Sequence, residues 1–297
     1  MTATAESAAP AASPVRDVVR DAAARLARAG VPDPDVDAEL LLAHLLGVGR
    51  GQVQAAAMRG DELAREQRTA FEELVARRAT RVPLQHITGV APFRHLELAV
   101  GPGVFVPRPE TEMVAQLAID ALRAAPTPEP IAVDLCTGSG AIALALGTEV
   151  PHARVFAVEN SVDAFIWAKE NAARVGAGNV RMVFDDAARA LPDLDGRVEV
   201  VVSNPPYVPD DAIPRDPEVR FHDPEQALYG GPDGLDVVRA ISRAALRLVR
   251  PGGTLILEHG EWQGEPIREL LVADGWRAPA THPDLTGRDR ATTAIRP

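Results

Sequence analysis

The chain has 297 residues, 46% of them apolar and 25% charged, which is the composition of a soluble globular protein with one large domain or two smaller ones. Its formal net charge of −11 disfavours general binding to nucleic acid phosphates, and no apolar stretch is long enough to span a bilayer. Cys136 is the only cysteine, so no disulfide can form within the chain, and we expect a protein of the reducing cytoplasm.

The amino-terminal part of the chain predicts a tail followed by helices. Residues 1–13 are rich in Ala, Thr, Ser and Pro and predict a disordered tail that lacks the features of a signal peptide. In residues 14–81, apolar residues recur at helical spacing, which predicts a small α-helical bundle. We expect Ser13 to cap a first helix with Pro14 at its first position, a second helix to start near Asp33-Pro34, and a third to follow Asp61.

The segment 82–109 has a different pattern. Leu96, Leu98 and Val100 alternate with other residues, which is the period of a strand with one buried face. Gly89 before this stretch and the glycines just after it are turn signals. The sequence therefore predicts a β-hairpin linker over residues 82–109, between two domains.

From residue 110 to 297, strand-like and helix-like segments alternate. This alternation predicts an α/β domain with a mostly parallel sheet that has helices on both faces. Strands are expected at 131–135, 154–159, 180–184, 198–203, 253–258 and 291–296. Helices are expected at 111–124, 139–147, 161–175, 235–249 and 264–274. In such folds, ligands bind at the carboxyl ends of the strands.

A glycine-containing loop follows the first of these strands. Gly138 and Gly140 permit a sharp turn and close approach to a ligand, but Ala143 stands where a dinucleotide fingerprint has its third glycine. Asp134, just before the turn, would repel a pyrophosphate and could receive a cationic or amino-bearing ligand. The sulfonium and ammonium groups of S-adenosylmethionine suit that charge better than NAD does.

Acidic residues also follow the next two strands. Glu159 ends the second strand, where a carboxylate can accept hydrogen bonds from both hydroxyls of a ribose. Asp186 follows the third strand and could bind an adenine amino group, with an ordinary solvated turn as the alternative. Together with the glycine loop, these positions favour an adenosine-bearing ligand.

The fourth strand ends in Asn204-Pro205-Pro206-Tyr207. Two consecutive prolines fix their φ angles and remove two backbone donors, so the loop presents carbonyl oxygens in a rigid array. Asn204 can accept one hydrogen of an NH2 group through its side-chain oxygen, and the Pro205 carbonyl can accept the other. Tyr207 offers a face to a flat substrate. No general base is evident in the sequence, and methyl transfer to such a nitrogen would depend on positioning and on stabilisation of positive charge.

With these motifs, the chain resembles the HemK/PrmC family of protein-(glutamine) methyltransferases, which act on peptide chain release factors. The resemblance covers nearly all of residues 82–297, and the helical leader is also typical of the family. Besides the two loops above, it is carried by Pro83–Gly89, Phe105–Glu112, Glu218–Phe221, Pro251–Gly253, Leu257–Gly260 and Gly287–Arg290.

The resemblance implies a fold and a division of the chain. Residues 110–297 would form a Rossmann-like class I methyltransferase domain with a mostly parallel seven-stranded sheet. Residues 14–81 would form a helical domain that helps to grip the substrate protein. The β-hairpin linker would join the two.

The resemblance also implies functional residues. With Asp186 added from the strand pattern, the expected cofactor-binding residues are Cys136, Thr137, Gly138, Ser139, Gly140, Glu159, Asp186, Ala187 and Asn204. The expected substrate-binding residues are Asn204, Pro205, Pro206 and Tyr207, of which Asn204, Pro205 and Tyr207 are the catalytic ones. Arg108 is expected to touch the cofactor or the substrate loop, with a structural ion pair as the alternative.

Three positions depart from the usual residues of the family. Cys136 stands where glycine is usual, Glu159 replaces the commoner aspartate, and Ala187 stands where an aromatic ring can stack on adenine. The last of these departures would weaken one cofactor contact. None of them removes the residues expected to carry the reaction.

The implied reaction transfers a methyl group from S-adenosylmethionine to the side-chain amide nitrogen of the glutamine in the Gly-Gly-Gln motif of bacterial release factors, leaving S-adenosylhomocysteine. We expect a monomer that uses no metal and binds neither nucleic acid nor membrane. Two alternatives are an adenine amino-group methyltransferase on nucleic acid, which could use the same four-residue loop, and a non-catalytic release-factor-binding module. The net charge of −11 and the helical leader favour a protein substrate.

Overall fold

A computed structural model describes residues 13–297, so the predicted tail lies outside the described residues except for Ser13. The described residues divide into two compact units, one that ends at Gly89 and one that spans Val90–Pro297. The segment 82–109 is therefore divided between the two units. No helix within the described residues combines the length and the apolar character needed to cross a membrane.

The first unit contains five helices among its described residues. They are α1 (Val15–Arg28), α2 (Pro34–Leu46), α3 (Arg50–Arg59), α4 (Arg65–Ala79) and α5 (Leu84–Thr88). Two short strands, β1 (Ser13–Pro14) and β2 (Glu62–Leu63), pair antiparallel. Apolar side chains from α1, α2 and α4 form one core, with Leu26, Leu41, Leu42 and Phe71 almost fully enclosed.

Two details of the helical unit differ from the expectations. Ser13 does not cap α1, because it lies in β1 and its Oγ accepts a hydrogen bond of 2.9 Å from Arg68. Pro14 is the cap residue instead. The helix α3 was not expected, since Val53 is its only buried residue and it therefore has no apolar stripe in the sequence.

The second unit begins with an antiparallel hairpin, β3 (Val90–Phe93) and β4 (Leu96–Ala99). The strands of its main sheet are β5 (Ile131–Leu135), β6 (Arg154–Glu159), β7 (Val180–Phe184), β8 (Val198–Ser203), β9 (Val249–Glu258), β10 (Arg277–Pro283) and β11 (Asp289–Ile295). Its helices are α6 (Thr111–Arg123), α7 (Ala141–Glu149), α8 (Val162–Val175), α9 (Pro217–His222), α10 (Glu225–Leu228), α11 (Asp236–Leu248) and α12 (Gly264–Asp274).

The main sheet has seven strands in the order β10-β11-β9-β8-β5-β6-β7. The neighbours from β9 to β7 pair in parallel, and β11 runs antiparallel to both β9 and β10. The chain moves outward from β5 to β7 and then returns to β8 on the other side of β5. The predicted fold class is confirmed, and the point where the strand order reverses lies between β5 and β8.

Alternate residues of the central strands pack into two separate cores. Ala132 of β5 and Val200 of β8 face one core with α6 and α7. Val133 and Val201 face the other core with α11 and α12. Because successive side chains of a strand point to opposite faces, a sheet covered on both sides needs nearly continuous apolar strands. Strand β8, which is buried along its whole length, meets that requirement.

The strand β10 is absent from the six that the sequence predicts. Its sequence, RAPATHP, has no β-branched apolar residue and contains two prolines. It lies at the edge of the sheet, where a strand pairs on one side only and prolines are tolerated. Pairing with β11 thus determines its conformation, and its composition does not indicate it.

Gly147 in α7 offers a test of the packing between helix and sheet. A Cβ atom at this position would lie 2.3 Å from Cγ2 of Val180 in β7. We expect Gly147→Ala to lower the free energy of unfolding by about 1–3 kcal/mol through overpacking, despite the better helix propensity of alanine. Urea denaturation followed by circular dichroism measures this change.

The control is Gly51→Ala in α3, where an added Cβ would have no neighbour within 4 Å. That helical glycine has room, so alanine there should raise the free energy of unfolding by about 0.5–1 kcal/mol. Equal effects of the two substitutions would show that the packing of α7 on β7 is looser than described.

Candidate functional site

A cavity of about 340 Å³ lies at the carboxyl edge of the main sheet, a volume typical of a small-molecule site. The loops after β5, β6 and β8 and the last residue of β9 contribute to its wall. Nine of the residues singled out in the sequence line it: Arg108, Cys136, Thr137, Gly138, Ser139, Glu159, Asn204, Pro206 and Tyr207. The fold thus brings the glycine loop and the Asn-Pro-Pro-Tyr loop to one place.

Four of the singled-out residues are not in the wall of this cavity: Gly140, Asp186, Ala187 and Pro205. Gly140 caps the start of α7 in a left-handed conformation. The Asp186 carboxylate accepts a hydrogen bond of 2.8 Å from the Ala188 amide, as the solvated-turn alternative requires. A cofactor role for Asp186 and Ala187 stays a prediction.

The glycine loop has alternate residues in the left-handed region of backbone conformation. The φ angles are +62° at Cys136, +58° at Gly138 and +86° at Gly140. The conformation at residue 136 explains why glycine is usual there, since a side chain with a Cβ adopts it at a cost of about 1 kcal/mol. Burial also raises the pKa of the Cys136 thiol, which keeps it protonated and unreactive.

Asp134 supports this loop from beneath. Its side chain is fully buried, and its Oδ2 accepts hydrogen bonds from Thr137 Oγ1 at 2.5 Å and from the Ala143 amide at 3.1 Å. It does not line the cavity, and direct contact with the ligand stays a prediction. Its carboxylate instead joins the loop to the first turn of α7.

Glu159 joins the loops after β5 and β6. Oε1 accepts hydrogen bonds from the amides of Asn160 and Ser161, and Oε2 accepts one of 2.8 Å from the Gly138 amide. A carboxylate has about four acceptor positions, so one remains on Oε2 for a ligand hydroxyl. Glu159 therefore shapes the cofactor loop and can also bind a ligand.

Asn171 was missed by the sequence reading, although it fixes the same loop. This residue of α8 is 1% exposed, accepts a hydrogen bond from the Ala99 amide at 2.6 Å, and donates to the carbonyls of Ala99 and Ser139. It thereby joins the hairpin strand β4 to the glycine loop. An asparagine on the apolar face of a predicted helix is the only signal that could have drawn attention to it.

The backbone carbonyls of the Asn-Pro-Pro-Tyr loop differ in their surroundings. Gln263 Nε2 donates to the Tyr207 carbonyl at 2.9 Å. Gly230 packs so closely on the Pro206 carbonyl that a Cβ there would lie 2.5 Å from the oxygen. No described residue donates a hydrogen bond to the Pro205 carbonyl, but Pro205 is buried and does not line the cavity, so its contact with a substrate stays a prediction.

The Asn204 side chain is oriented by two neighbours. Its Nδ2 lies 3.4 Å from Thr111 Oγ1, and the side chains of Asn204 and Thr111 both interact favourably with the Glu258 carboxylate. A carboxylate only accepts hydrogen bonds, so the NH2 end of Asn204 faces Glu258. The Oδ1 end is left as an acceptor in the cavity.

Arg108 forms the ion pair that the sequence reading gave as its alternative. Its Nη2 lies 2.6 Å from Oδ2 of Asp223, and its guanidinium stacks over the Phe105 ring at 4.9 Å. Burial raises the pKa of Asp223 to about 6, against the attraction of Arg108. Since Arg108 also lines the cavity, the pair fixes one wall, and direct contact with a substrate stays a prediction.

The charges of the cavity wall fit S-adenosylmethionine. Three glutamates line the cavity, Glu110, Glu159 and Glu258. Of the two arginines in the wall, Arg108 pairs with Asp223, and Arg290 lies 3.5 Å from Asp284 and also attracts Glu258. Such a wall suits a ligand with sulfonium and ammonium groups and disfavours one with phosphates.

Comparison with known proteins gives matches along most of the chain. A family model described as the PrmC N-terminal domain matches residues 17–89, and one described as the methyltransferase small domain matches residues 95–219. Release factor glutamine methyltransferase of Streptomyces coelicolor is 53% identical over 93% of this chain and 96% of its own length. The enzymes of the same name from Mycolicibacterium smegmatis and Bifidobacterium longum are 48% and 44% identical, each over 95% of this chain and at least 98% of their own.

Among solved structures, the 16S rRNA N2 methyltransferase of T. thermophilus, in complex with AdoMet and guanosine, superposes with a TM-score of 0.52. It is 20% identical and covers 70% of this chain and 50% of its own. At that identity, the likeness shows the methyltransferase fold alone. The family matches, together with the acidic cavity wall, identify S-adenosylmethionine as the methyl donor.

Substitution of Cys136 tests the strain assigned to its left-handed backbone. We expect Cys136→Gly to keep the free energy of unfolding within about 1 kcal/mol of wild type, because relief of strain offsets the greater freedom of glycine in the unfolded chain. Cys136→Val should lower it by about 1–3 kcal/mol, since a β-branched residue is poorly tolerated there. Guanidinium denaturation measures both, and a valine variant as stable as wild type would contradict the assigned conformation.

Asp134 gives a pH-dependent test. Burial raises its pKa to about 7, so between pH about 4 and about 7 the folded state binds more protons than the unfolded state and loses stability as pH rises. Both donors that Asp134 binds go to Oδ2, so the carbonyl of Asp134→Asn can retain them. We expect this variant to gain stability relative to wild type as pH rises from about 4 to about 7.

Urea denaturation of both proteins across that range measures the difference. The comparison between them removes contributions that they share, including that of His259, whose pKa is lowered by burial and which acts in the opposite direction. If the stabilities of wild type and variant changed in parallel with pH, the raised pKa of Asp134 would be contradicted.

Proposed function

The chain belongs to the release factor glutamine methyltransferase family, and on that basis we propose that its cavity methylates the side-chain amide nitrogen of the glutamine in the Gly-Gly-Gln motif of bacterial release factors. The observation that carries this proposal is the Asn204 side chain at the end of β8, which lines the cavity and has its Oδ1 end left as an acceptor. The second acceptor in the proposal is the carbonyl oxygen of Pro205, which receives no hydrogen bond from a described residue.

Two acceptors on one rigid loop suit a group with two N–H donors. A primary amide NH2 placed between them would donate one hydrogen to each, which fixes the plane of the amide. Pro205 and Pro206 keep the loop in one shape, and Gln263 holds the Tyr207 carbonyl from behind. Because the amide is already oriented when it binds, it loses less entropy in reaching the transition state.

The cofactor, when bound, supplies an electrophilic methyl group. The residues that would hold it are the backbone of the glycine loop and Glu159, whose remaining acceptor position suits a ribose hydroxyl. The glutamate side chains of the wall favour its cationic groups. Tyr207 stays protonated, since burial raises its pKa to about 12, and its ring would cover the flat amide.

Support for a protein substrate comes from outside the cavity. A net charge of −11 is unfavourable for an enzyme that must hold a nucleic acid. The curated relatives that match over nearly their whole length are named for release factors. In this proposal, the helical residues 14–81 bind the body of the release factor while its glutamine enters the cavity.

We propose that the enzyme acts as a monomer. Release factors work in translation, so the proposed place of action is the cytoplasm.

Replacement of Asn204 tests the proposal. We expect Asn204→Ala to lower kcat for release factor methylation by at least about 100-fold, because one of the two acceptors that position the amide is lost. Transfer of radiolabel from S-adenosylmethionine to purified release factor measures kcat. Calorimetric titration with S-adenosylhomocysteine then separates loss of turnover from loss of cofactor binding, and unchanged turnover would exclude the role given to Asn204.

The choice of substrate needs its own experiment. We expect mass spectrometry of a release factor incubated with the enzyme and cofactor to find one added methyl group on the Gly-Gly-Gln glutamine. A release factor with asparagine in place of that glutamine is the control and should stay unmodified. Label that appears in DNA or RNA and not in the release factor would favour the adenine alternative, and label in neither would favour a binding module.

A further inference from the structure

We propose that Glu258 is a further catalytic residue: its carboxylate stabilises the positive charge that develops on the substrate nitrogen and accepts the proton that this nitrogen releases. The inference rests on the proposed function. It changes the expectation from the sequence, which shows no evident general base, and it assigns a role to the Leu257–Gly260 segment.

The position of Glu258 follows from the sheet. It is the last residue of β9, and in the parallel pairing of β8 with β9 its neighbour Leu257 lies opposite Ser203. Glu258 therefore lies beside Asn204, the first residue after β8. It lines the same cavity, although it is only 2% exposed.

The carboxylate has acceptor capacity that the protein does not use. Its Oε2 is enclosed and has no hydrogen-bond partner among the described residues. A buried carboxylate oxygen without a partner is destabilising, so this oxygen does not contribute to the stability of the fold. Other buried glutamates of the same sheet have backbone partners: Glu159 binds the Gly138 amide and Glu199 binds the Ile131 amide at 2.6 Å.

The groups that face Glu258 define its charge state. From the segment before α6, Glu110 repels it and Thr111 interacts favourably with it. From β11, Arg290 attracts it, and from the loop after β8, Asn204 interacts favourably while Tyr207 stays neutral. Burial outweighs the favourable contacts and raises the pKa of Glu258 to about 7. A small change in its surroundings is therefore enough to move a proton on or off it near neutral pH.

Methylation of an amide nitrogen needs a group that can accept a proton. The lone pair of the amide nitrogen forms a bond to the methyl carbon while the bond from that carbon to the cofactor sulfur breaks, and the electron pair of that bond stays on sulfur. The nitrogen then carries a positive charge, two hydrogens and the new methyl group. Loss of one proton to Glu258 leaves a neutral N-methyl amide and a carboxylic acid, which returns its proton to water after the product leaves.

A carboxylate in this position also acts before the proton is transferred. A negative charge in a site shielded from water stabilises a developing positive charge much more than water does. The same charge holds the NH2 end of Asn204 and so keeps Oδ1 directed at the substrate. Both effects require the ionised form of Glu258.

The test compares wild type, Glu258→Gln and Glu258→Asp in steady-state methylation of release factor, followed by formation of S-adenosylhomocysteine across pH 6 to 9. We expect Glu258→Gln to lower kcat by about 100-fold and to change KM for release factor by less than about threefold. Wild-type kcat should fall as the pH drops below about 7, and this acidic limb should be absent in Glu258→Gln. Glu258→Asp should retain the limb at a reduced rate.

A thermal melt of the ligand-free proteins supplies a readout that does not depend on turnover. Replacing a buried carboxylate that has one oxygen without a partner by a carboxamide should raise Tm at pH 8. The matched control is Glu199→Gln, a buried glutamate at the opposite end of the sheet that does not line the cavity. Its kcat and pH profile should equal those of wild type.

The outcomes are distinct. A wild-type enzyme that forms no S-adenosylhomocysteine with release factor overturns the proposed function and this inference with it. An active wild type with Glu258→Gln of similar kcat, or with the acidic limb retained in that variant, overturns the inference alone. A variant with lower Tm and equal losses in kcat and in cofactor binding shows a structural role and also overturns it.

Discussion

Adjacency of β5 and β8 in the parallel sheet is the constraint from which the site follows. The two strands are about 70 residues apart in sequence, yet the Ser203 hydroxyl at the end of β8 donates a hydrogen bond of 2.5 Å to the Leu135 carbonyl at the end of β5. The loops that leave these two strand ends diverge from a shared point, as they do wherever the strand order of a parallel sheet reverses. The cofactor loop and the substrate loop are neighbours because of this pairing, and neither could form the cavity alone.

Buried carboxylates determine the charge of the region where the two loops meet. Asp134, Glu159 and Glu258 lie at the ends of three central strands, and burial raises the pKa of each of them. Their roles differ because their partners differ. Asp134 supports the glycine loop, Glu159 supports it and keeps one acceptor position open, and Glu258 has one oxygen without a partner. A core that contains three such groups is less stable than an apolar one, which is a common property of sites built for a charged ligand.

Much of the second unit was predictable from the sequence because its determinants are local. The apolar runs of β5 and β8 require burial on both faces, and the glycines after β5 allow the tight turn that follows this strand. The helix α3 and the strand β10 were not predictable, because each is held by neighbours that its own composition does not specify. Asn171 belongs with them: its three hydrogen bonds join Ala99 and Ser139, which are distant in the chain.

The sequence by itself determined the alternating α/β pattern, the positions of the glycine loop and the Asn-Pro-Pro-Tyr loop, and the resemblance that connects them to glutamine methylation. These are properties of contiguous residues, whose conformational limits and hydrogen-bonding groups can be read directly. Only the tertiary structure decided that Asp134 lies beneath the loop, that Arg108 pairs with Asp223, and that Glu258 lies beside Asn204 with unused acceptor capacity. Each of these depends on which strand ends are adjacent in the sheet and on how far the side chains there are shielded from water. Local sequence patterns do not specify either property.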